Sequence, residues 1–154
     1  MVTLDALSAA NIHAVLALEV NAEQKATYPR SNGYSIAEGH FPGDDDPVWM
    51  RAICNGGTPI GFMMTSERPS AGEYFLWRMM IDHRHQGRGH AKAAMRLLVD
   101  RLERTDNPRL LLLSHLRENV RASHFYRSLG FTYTGKDLGG GDLEMALPLQ
   151  SRTD

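Results

Sequence analysis

Residues 74–98 read YFLWRMMIDHRHQGRGHAKAAMRLL. The run Tyr74 to Ile81 has the aromatic and aliphatic content of a strand. Gly87 and Gly89 interrupt it in a basic turn, and Ala91, Ala94, Met95, Leu98, Val99 and Leu102 then recur at helical spacing as a one-sided apolar stripe that must lie on a sheet. Strand, glycine turn and helix in this order make an anion site. The glycines let backbone come close to a ligand, and the first helical N–H groups have no intrahelical partner and carry the positive end of the helix dipole. Five of the nine residues from Arg84 to Lys92 are basic or imidazole side chains (Arg84, His85, Arg88, His90, Lys92), yet the formal net charge of the chain is -1. The positive charge is therefore placed locally, at the size of a phosphate or pyrophosphate.

Spacing narrows the kind of site. No G-x-x-x-x-G-K-[ST] string occurs in the chain, which excludes a P-loop. A dinucleotide fingerprint fails because the third glycine position, counted from Gly87 and Gly89, falls on Lys92. Gln86, Gly89 and Ala91 in QGRGHA instead resemble the Q/R-x-x-G-x-G/A pyrophosphate loop of the GCN5-related N-acetyltransferases (GNAT). About thirty residues on, Asn119-Val-Arg-Ala-Ser-His-Phe-Tyr126-Arg-Ser-Leu-Gly130-Phe131 is similar to the N-x-x-A-x-x-F/L-Y-x-x-x-G-F signature of the same family. Read for itself, this second block is a helix with Ala122, Phe125 and Leu129 on a core face, stopped by Gly130 before a strand that starts at Phe131.

At 154 residues, 42% apolar and 23% charged, the chain has the size and composition of one globular domain, taken as residues 1–150, with 151–154 as a loose tail. A nearly neutral balance does not make nucleic acid a default partner. Cys54 is the single cysteine. It excludes an internal disulfide and cysteine-based zinc motifs, and its apolar surroundings suggest a buried thiol in a reducing compartment. The N-terminus lacks a basic-then-apolar signal pattern, and no run approaches the roughly 18 apolar residues of a membrane span. The expectation is a cytoplasmic protein with no membrane partner.

Outside the two motifs, Thr3 to Leu7 alternates as a short strand, and Ser8 is placed to cap a helix carrying Ile12, Val15, Leu16 and Leu18. Residues 23–46 are punctuated by prolines and glycines around one helix-compatible piece, Ser35 to Glu38, in the manner of a binding lip. Val48 to Cys54 and Ile60 to Ser66 read as a hairpin turning at Asn55 to Pro59, and Pro69 to Gly72 turns the chain again into Tyr74 to Ile81. Leu110 to Leu113 reads as a strand covered on both faces and parallel to its predecessor through the intervening helix. Phe131 to Thr134 and Leu143 to Leu147 close the chain as strands around Gly139-Gly140-Gly141. This element order is that of the fold the motifs resemble. The resemblance implies an α/β fold with a mixed, twisted central sheet, helices on both faces, and two parallel strands that splay to receive pantetheine. A homodimer through the last strands is compatible with such a fold.

The resemblance further implies an acetyl-CoA-dependent N-acetyltransferase without a metal. In family register the Met79 backbone N–H is the oxyanion donor and Ile81 bonds pantetheine. Gln86, Gly87, Arg88, Gly89, His90 and Ala91 cradle the pyrophosphate, Asn119 bonds the pantetheine arm, and Tyr126 protonates the departing thiolate. Arg84, Arg88, Lys92, Arg121 and Arg127 are the side chains from which phosphate contacts are drawn. An alkylamine with a pKa near 10.4 must lose a proton before attack, and Glu73 and His115 are the candidate bases. The block Phe75 to Asp82 followed by Gln86-Gly87-Arg88-Gly89, with Ser31 to Glu38 upstream, looks like bacterial spermine/spermidine and diamine acetyltransferases. That subgroup resemblance makes a polyamine the leading acceptor and Glu38, Trp77 and Arg78 the candidate substrate residues. Trp49 and Asp44-Asp45-Asp46 are further groups suited to a cation, although an acidic triplet after Pro-Gly also reads as a solvated turn. Arg78, a positive charge on the central strand, calls for a carboxylate partner such as Asp82 or Glu38. Amino-bearing antibiotics and protein amines are alternative acceptors, and a non-catalytic acyl-CoA-binding domain is the alternative of another class.

Overall fold

The computed structural model describes residues 1–152. A single seven-stranded sheet runs in the order β1-β2-β3-β4-β5-β7-β6, formed by Val2–Ala6, Val48–Asn55, Thr58–Arg68, Glu73–Ile81, Leu110–Leu116, Thr132–Asp137 and Asp142–Pro148 as β1 to β7. The first four strands are an antiparallel meander. The β2–β3 hairpin closes on Gly56 and Gly57, both at positive φ (57° and 81°), as a tight two-residue turn requires. β4 and β5 are parallel, as expected from the helix between them. β7 then inserts beside β5 and leaves β6 as an exposed outer edge.

Helices α1 (Ile12–Leu16), α2 (Asn32–His40), α3 (His90–Glu103) and α4 (Val120–Ser128) cover the two faces. Alternation along β3 divides the core between them. Phe62 and Met64 join Val15, Leu18, Ala52 and Met80 under α1 and α2, whereas Met63 joins Ala94, Met95, Leu98, Leu102, Leu111 and Leu113 under α3. Full burial of a valine, leucine, phenylalanine or methionine among them contributes about 1.5–3 kcal/mol. The apolar stripe of α3 faces inward as its spacing implies. Cys54 is buried in β2, and burial first, then the neighbouring Asp5, pushes its thiol up to about 12, which makes it inert at neutral pH.

Several local expectations change. Ser8 does not cap α1. The Asn11 amide donates to the Ala6 carbonyl and accepts the Ser8 N–H, so Asn11 staples the turn and the helix begins after it. The short piece at Ser35 extends to Asn32–His40 because Ser31 accepts the Tyr34 N–H at 3.1 Å and caps it. β5 is not covered on both faces: Leu111 and Leu113 are buried while Leu110 and Leu112 are half-buried. The reason is that α1 and α2 pack on β2 and β3 and do not reach across to β5. Within the tail, Arg152 is held by ion pairs to Asp100 and Glu103, both 2.8 Å, and residues 153–154 lie outside those described. Among the described residues no helix is long and apolar enough to cross a membrane, and no cluster of metal-ligating side chains occurs.

Candidate functional site

The parallel pairing of β4 and β5 lasts three residues, Glu73–Leu110, Tyr74–Leu111 and Phe75–Leu112. On the other side of β4, Arg78 pairs with Met64 and Leu76 with Thr65, so Trp77 is an extra, bulged residue. Bulge and lost pairing coincide, and the two strands part into a notch. Strand alternation decides which backbone groups line it. The Asp82 N–H bonds the Ile60 carbonyl across β3 at 2.8 Å. Met80 and Arg78 therefore also turn their backbone groups toward β3, and Met79 and Ile81 turn theirs into the notch. The Gln86 side-chain amide, which donates to the Ile81 carbonyl at 2.8 Å, agrees with that direction.

One end of the notch meets the glycine turn. Gly87 and Gly89 have φ of 73° and 79°, and a Cβ on either would meet no atom within 4 Å, so the requirement for glycine is conformational and the space above the turn is open. The first intrahelical bond of α3 runs from the Ala93 N–H to Gly89, which leaves the N–H groups of His90, Ala91 and Lys92 for an anion. Asp82 fixes this turn to the rest of the fold. Its buried carboxylate accepts from the N–H groups of Glu19 and Arg84 (both 3.0 Å) and from the Arg84 guanidinium (2.8 and 3.2 Å). Burial acts to raise its pKa, but those hydrogen bonds and the Arg84 charge outweigh it and hold the group well below the usual carboxylate range. Arg84, expected near the phosphates, is thereby committed to Asp82.

A cleft of about 870 Å³ joins turn and notch. Met79, Ile81, Gln86, Gly87, Gly89, His90, Ala91, Asn119 and Tyr126 line it together, as do Trp77, Arg78 and His115. Asn119 caps α4 by accepting the Ala122 N–H at 3.1 Å, so its remaining donor is the Nδ2 amide. Tyr126 stacks edge-on to Phe125 and Phe131, and burial pushes its phenol up to about 12.

Other expected members lie elsewhere. Glu73 sits at the closed end of β4, where the strands are still paired, and not on the cleft wall. His115 is on the wall, but both ring nitrogens are engaged, Nδ1 with the Leu116 carbonyl (2.7 Å) and Nε2 with the Tyr133 hydroxyl (2.8 Å). Neither candidate base is thus presented to a substrate. Arg88 and Arg127 are exposed off the wall, whereas Lys92 and Arg121 line it, because Arg121 shares the face of α4 that carries Ala122 and Phe125. Glu38 is taken by Arg78 at 3.1 Å, which selects it over Asp82 as that arginine's partner. Asp46 is tied to Arg68 at 2.6 Å, and Trp49 lies between Arg51 and Arg101 (4.5 and 4.1 Å), away from the cleft. The sequence reading missed Gln24, Tyr28 and Arg30, which the lip brings onto the wall, and Asp142 at the start of β7. No motif marks them. The proline- and glycine-broken pattern of the lip was the only signal.

A splayed parallel pair opening onto a helix N-terminus is an α/β arrangement shaped for an elongated ligand with an anionic middle. The chain belongs to the acetyltransferase (GNAT) family, whose family model matches residues 12–131. It is 30% identical over 97 residues to the 5-NmdU N-acetyltransferase of Pseudomonas phage PaMx11, covering 63% of this chain and 66% of that protein. It is 29% identical over 86 residues to the spermine/spermidine N(1)-acetyltransferase of Bacillus subtilis (strain 168), covering 52% and 57%. In each case the match spans less than two thirds of the relative. Among solved structures, spermidine N-acetyltransferase from Vibrio cholerae in complex with CoA and spermine superposes with a TM-score of 0.74 over 97% of this chain and 96% of that one, at 18% identity. At that identity the likeness shows the fold.

Proposed function

We propose that the protein is an acetyl-CoA-dependent N-acetyltransferase acting on a primary amine of a small molecule. The observation that carries this reading is that Met79 and Ile81 turn their backbone groups into a notch continuous with the open N-terminus of α3. Acetyl-CoA supplies an acetyl thioester, which a neutral amine converts to an amide while one proton passes from nitrogen to the departing sulfur. The N–H groups of the turn and of His90, Ala91 and Lys92 hold the pyrophosphate, with Lys92 and Arg121 adding charge. Ile81 and the Asn119 Nδ2 amide orient the pantetheine arm. The Met79 N–H stabilises the developing oxyanion, a contribution of about 3–4 kcal/mol for a preorganised donor. Tyr126, protonated at neutral pH, serves the leaving sulfur.

Glu73 lies off the cleft and His115 is engaged on both nitrogens, so no dedicated base is assigned. The amine sheds its proton to solvent before it is enclosed. A polyamine remains the leading acceptor, supported by the names of the Bacillus and Vibrio proteins. With Glu38 and Asp46 committed to arginines, the carboxylate on the described cleft wall is Asp142, itself accepting from Ser114 at 2.9 Å. In this reading Asp142 receives the second ammonium. The phage relative's name points to 5-NmdU as a second acceptor to include. The wider cellular picture is a cytoplasmic enzyme, with the exposed edge β6 available for a homodimer.

The test is release of CoA thiol from acetyl-CoA across spermidine, spermine, diamines, monoamines, 5-NmdU and aminoglycosides. Turnover on one class and not the others assigns the acceptor. Tight acetyl-CoA binding with no turnover on any amine, including protein N-termini and lysines, would leave a non-catalytic acyl-CoA-binding domain.

A further inference from the structure

The segment 19–32, which carries the lip into α2, is pinned to β4 and the turn after it at both ends. At one end the Glu19 N–H donates to the Asp82 carboxylate at 3.0 Å, and the Glu19 carbonyl accepts the His83 N–H at 2.9 Å. At the other, the Asn32 amide donates to the Val15 carbonyl at 2.9 Å and lies 3.6 Å from the Met80 sulfur, and α2 then brings Glu38 to Arg78. Between these ends, residues 21–30 make one hydrogen bond outside the segment among the described residues, from the Gln86 amide to Gln24 Oε1 at 2.8 Å. Its direction is forced. The same Gln86 Nε2 donates to the Ile81 carbonyl at 2.8 Å, which can only accept, so the Gln24 atom it also meets is an acceptor. Gln86 thereby spends both amide hydrogens, one on β4 and one on the lip.

Gln24 belongs to no motif, yet the lip's own turn is organised on it. Its carbonyl accepts the N–H groups of Thr27 and Tyr28 (3.1 and 2.8 Å), and its N–H bonds Asn21 Oδ1 at 2.9 Å. What holds Gln24 in place therefore also holds Thr27 to Arg30, the lip's share of the cleft wall. In the reading above, on which this inference rests, the anion turn, the notch and α4 receive the cofactor, and the lip beside Trp77 and Arg78 is the side left for the acceptor. Gln86 stands on the first surface and Gln24 on the second, so one bond sets the distance between them. We infer that Gln24 is a positioning residue for the acceptor. Acting through Gln86, it holds the acceptor side of the cleft in register with the anion turn, at the spacing from which an amine reaches the thioester.

Two variants test this. Gln24→Met keeps the length of the side chain and removes the acceptor, whereas Gln24→Glu keeps an acceptor and alters only Nε2, which has no partner among the described residues. Val20 and Tyr28 pack on the core under α1 and α2, so the lip stays folded in both. Each is measured beside the wild type at saturating acetyl-CoA, on whichever amine the wild type acetylates. Loss of one neutral hydrogen bond predicts that Gln24→Met raises KM for the amine by roughly three- to tenfold. The acetyl-CoA dissociation constant of Gln24→Met, read by calorimetry, stays within about twofold of wild type, and its melting temperature falls by no more than about 6 °C. Gln24→Glu returns the amine KM to within about twofold of wild type. An unchanged amine KM in Gln24→Met would overturn the inference. So would equal rises in amine KM and acetyl-CoA dissociation constant, which would make the bond a prop for the anion turn alone, or a failure of Gln24→Glu to restore the KM. A larger fall in melting temperature would mean that the bond carries the fold of the lip, and would overturn it as well. Absence of wild-type turnover on every amine would refute the acetyltransferase reading and this one with it, whereas wild-type turnover with an unchanged KM in Gln24→Met refutes this one alone.

Discussion

Replacing Tyr126 by Phe removes one hydroxyl and little else, since the ring keeps its edge-on contacts with Phe125 and Phe131 at 5.2 and 5.7 Å. The size of the effect follows from the two acidities involved. Burial pushes the Tyr126 phenol up to about 12, and an ordinary thiol lies near 8.5. Complete proton transfer from phenol to thiolate is then uphill by roughly 5 kcal/mol in the unliganded site. In the proposed mechanism Tyr126 then acts mainly as a hydrogen-bond donor to a sulfur that is gaining charge. A hydrogen bond to a charged group is worth about 1.5–3 kcal/mol, which converts to a loss in kcat of roughly 10- to 150-fold. Full general-acid catalysis would cost up to about 10⁴-fold. The assay is CoA thiol release at saturating amine, with acetyl-CoA affinity measured separately and expected to be unchanged. A kcat within about threefold of wild type would refute the assignment, and a loss near 10⁴ would refute the acidity argument while keeping the residue.

Asp82→Asn withdraws the charge that anchors the anion turn. Arg84 is largely exposed, so most of the cost comes from the buried N–H groups of Glu19 and Arg84, about 2–3 kcal/mol, read as a melting temperature lower by roughly 5–10 °C at pH 7. Because the Asp82 pKa is held low, its contribution is fully present above the ordinary carboxylate value of about 3.9 and is lost progressively as pH falls from there through the much lower folded-state pKa; a gap between wild type and variant that does not shrink between pH 5 and pH 2 would contradict this. If a polyamine is the acceptor, Asp142→Asn raises KM for spermidine about tenfold and leaves a monoamine of similar length unaffected, and equal effects on both would remove Asp142 from that role. With no wall residue assigned as the base, log kcat/KM is expected to rise with a slope of one from pH 6 to 9 toward an alkylamine acceptor's own pKa of about 10.4, and a plateau beginning near 6.5 would reveal a histidine base instead.

How much of this was legible in the sequence depends on which atoms do the work. The half of the cleft proposed for the cofactor is built from backbone. A turn at positive φ needs Gly87 and Gly89, an anion site at the start of α3 needs N–H groups that no side chain caps, and α4 is capped by Asn119, so each requirement leaves a residue that can be read. The direction of Met79 and Ile81 follows from strand alternation once the pairing of β3 with β4 is known, and the bulge at Trp77 that opens the notch leaves no mark that composition reveals. Arg121 and Arg127 differ only in which face of α4 they occupy, a distinction that charge counting cannot make.

The half proposed for the acceptor is built from side chains of the lip, where no period exists to predict orientation, and there the outcome turned on pairing. Glu38 and Arg78 were both singled out, and Asp82 and Glu38 were both open as the arginine's partner, a choice that forty residues of sequence could not make until the fold joins Glu38 to Arg78 at 3.1 Å. Joined, they cancel, and Glu38 ceases to be an anchor for a cation. His115 is a similar case, since its two ring nitrogens are spent on Leu116 and Tyr133. Gln24 is the reverse: nothing in its neighbourhood of sequence distinguishes it, and only its bond to Gln86 marks it. In the proposed reading, acceptor specificity rests on the lone pairs that Asp142 keeps beside its Ser114 bond rather than on the charges most visible in the chain.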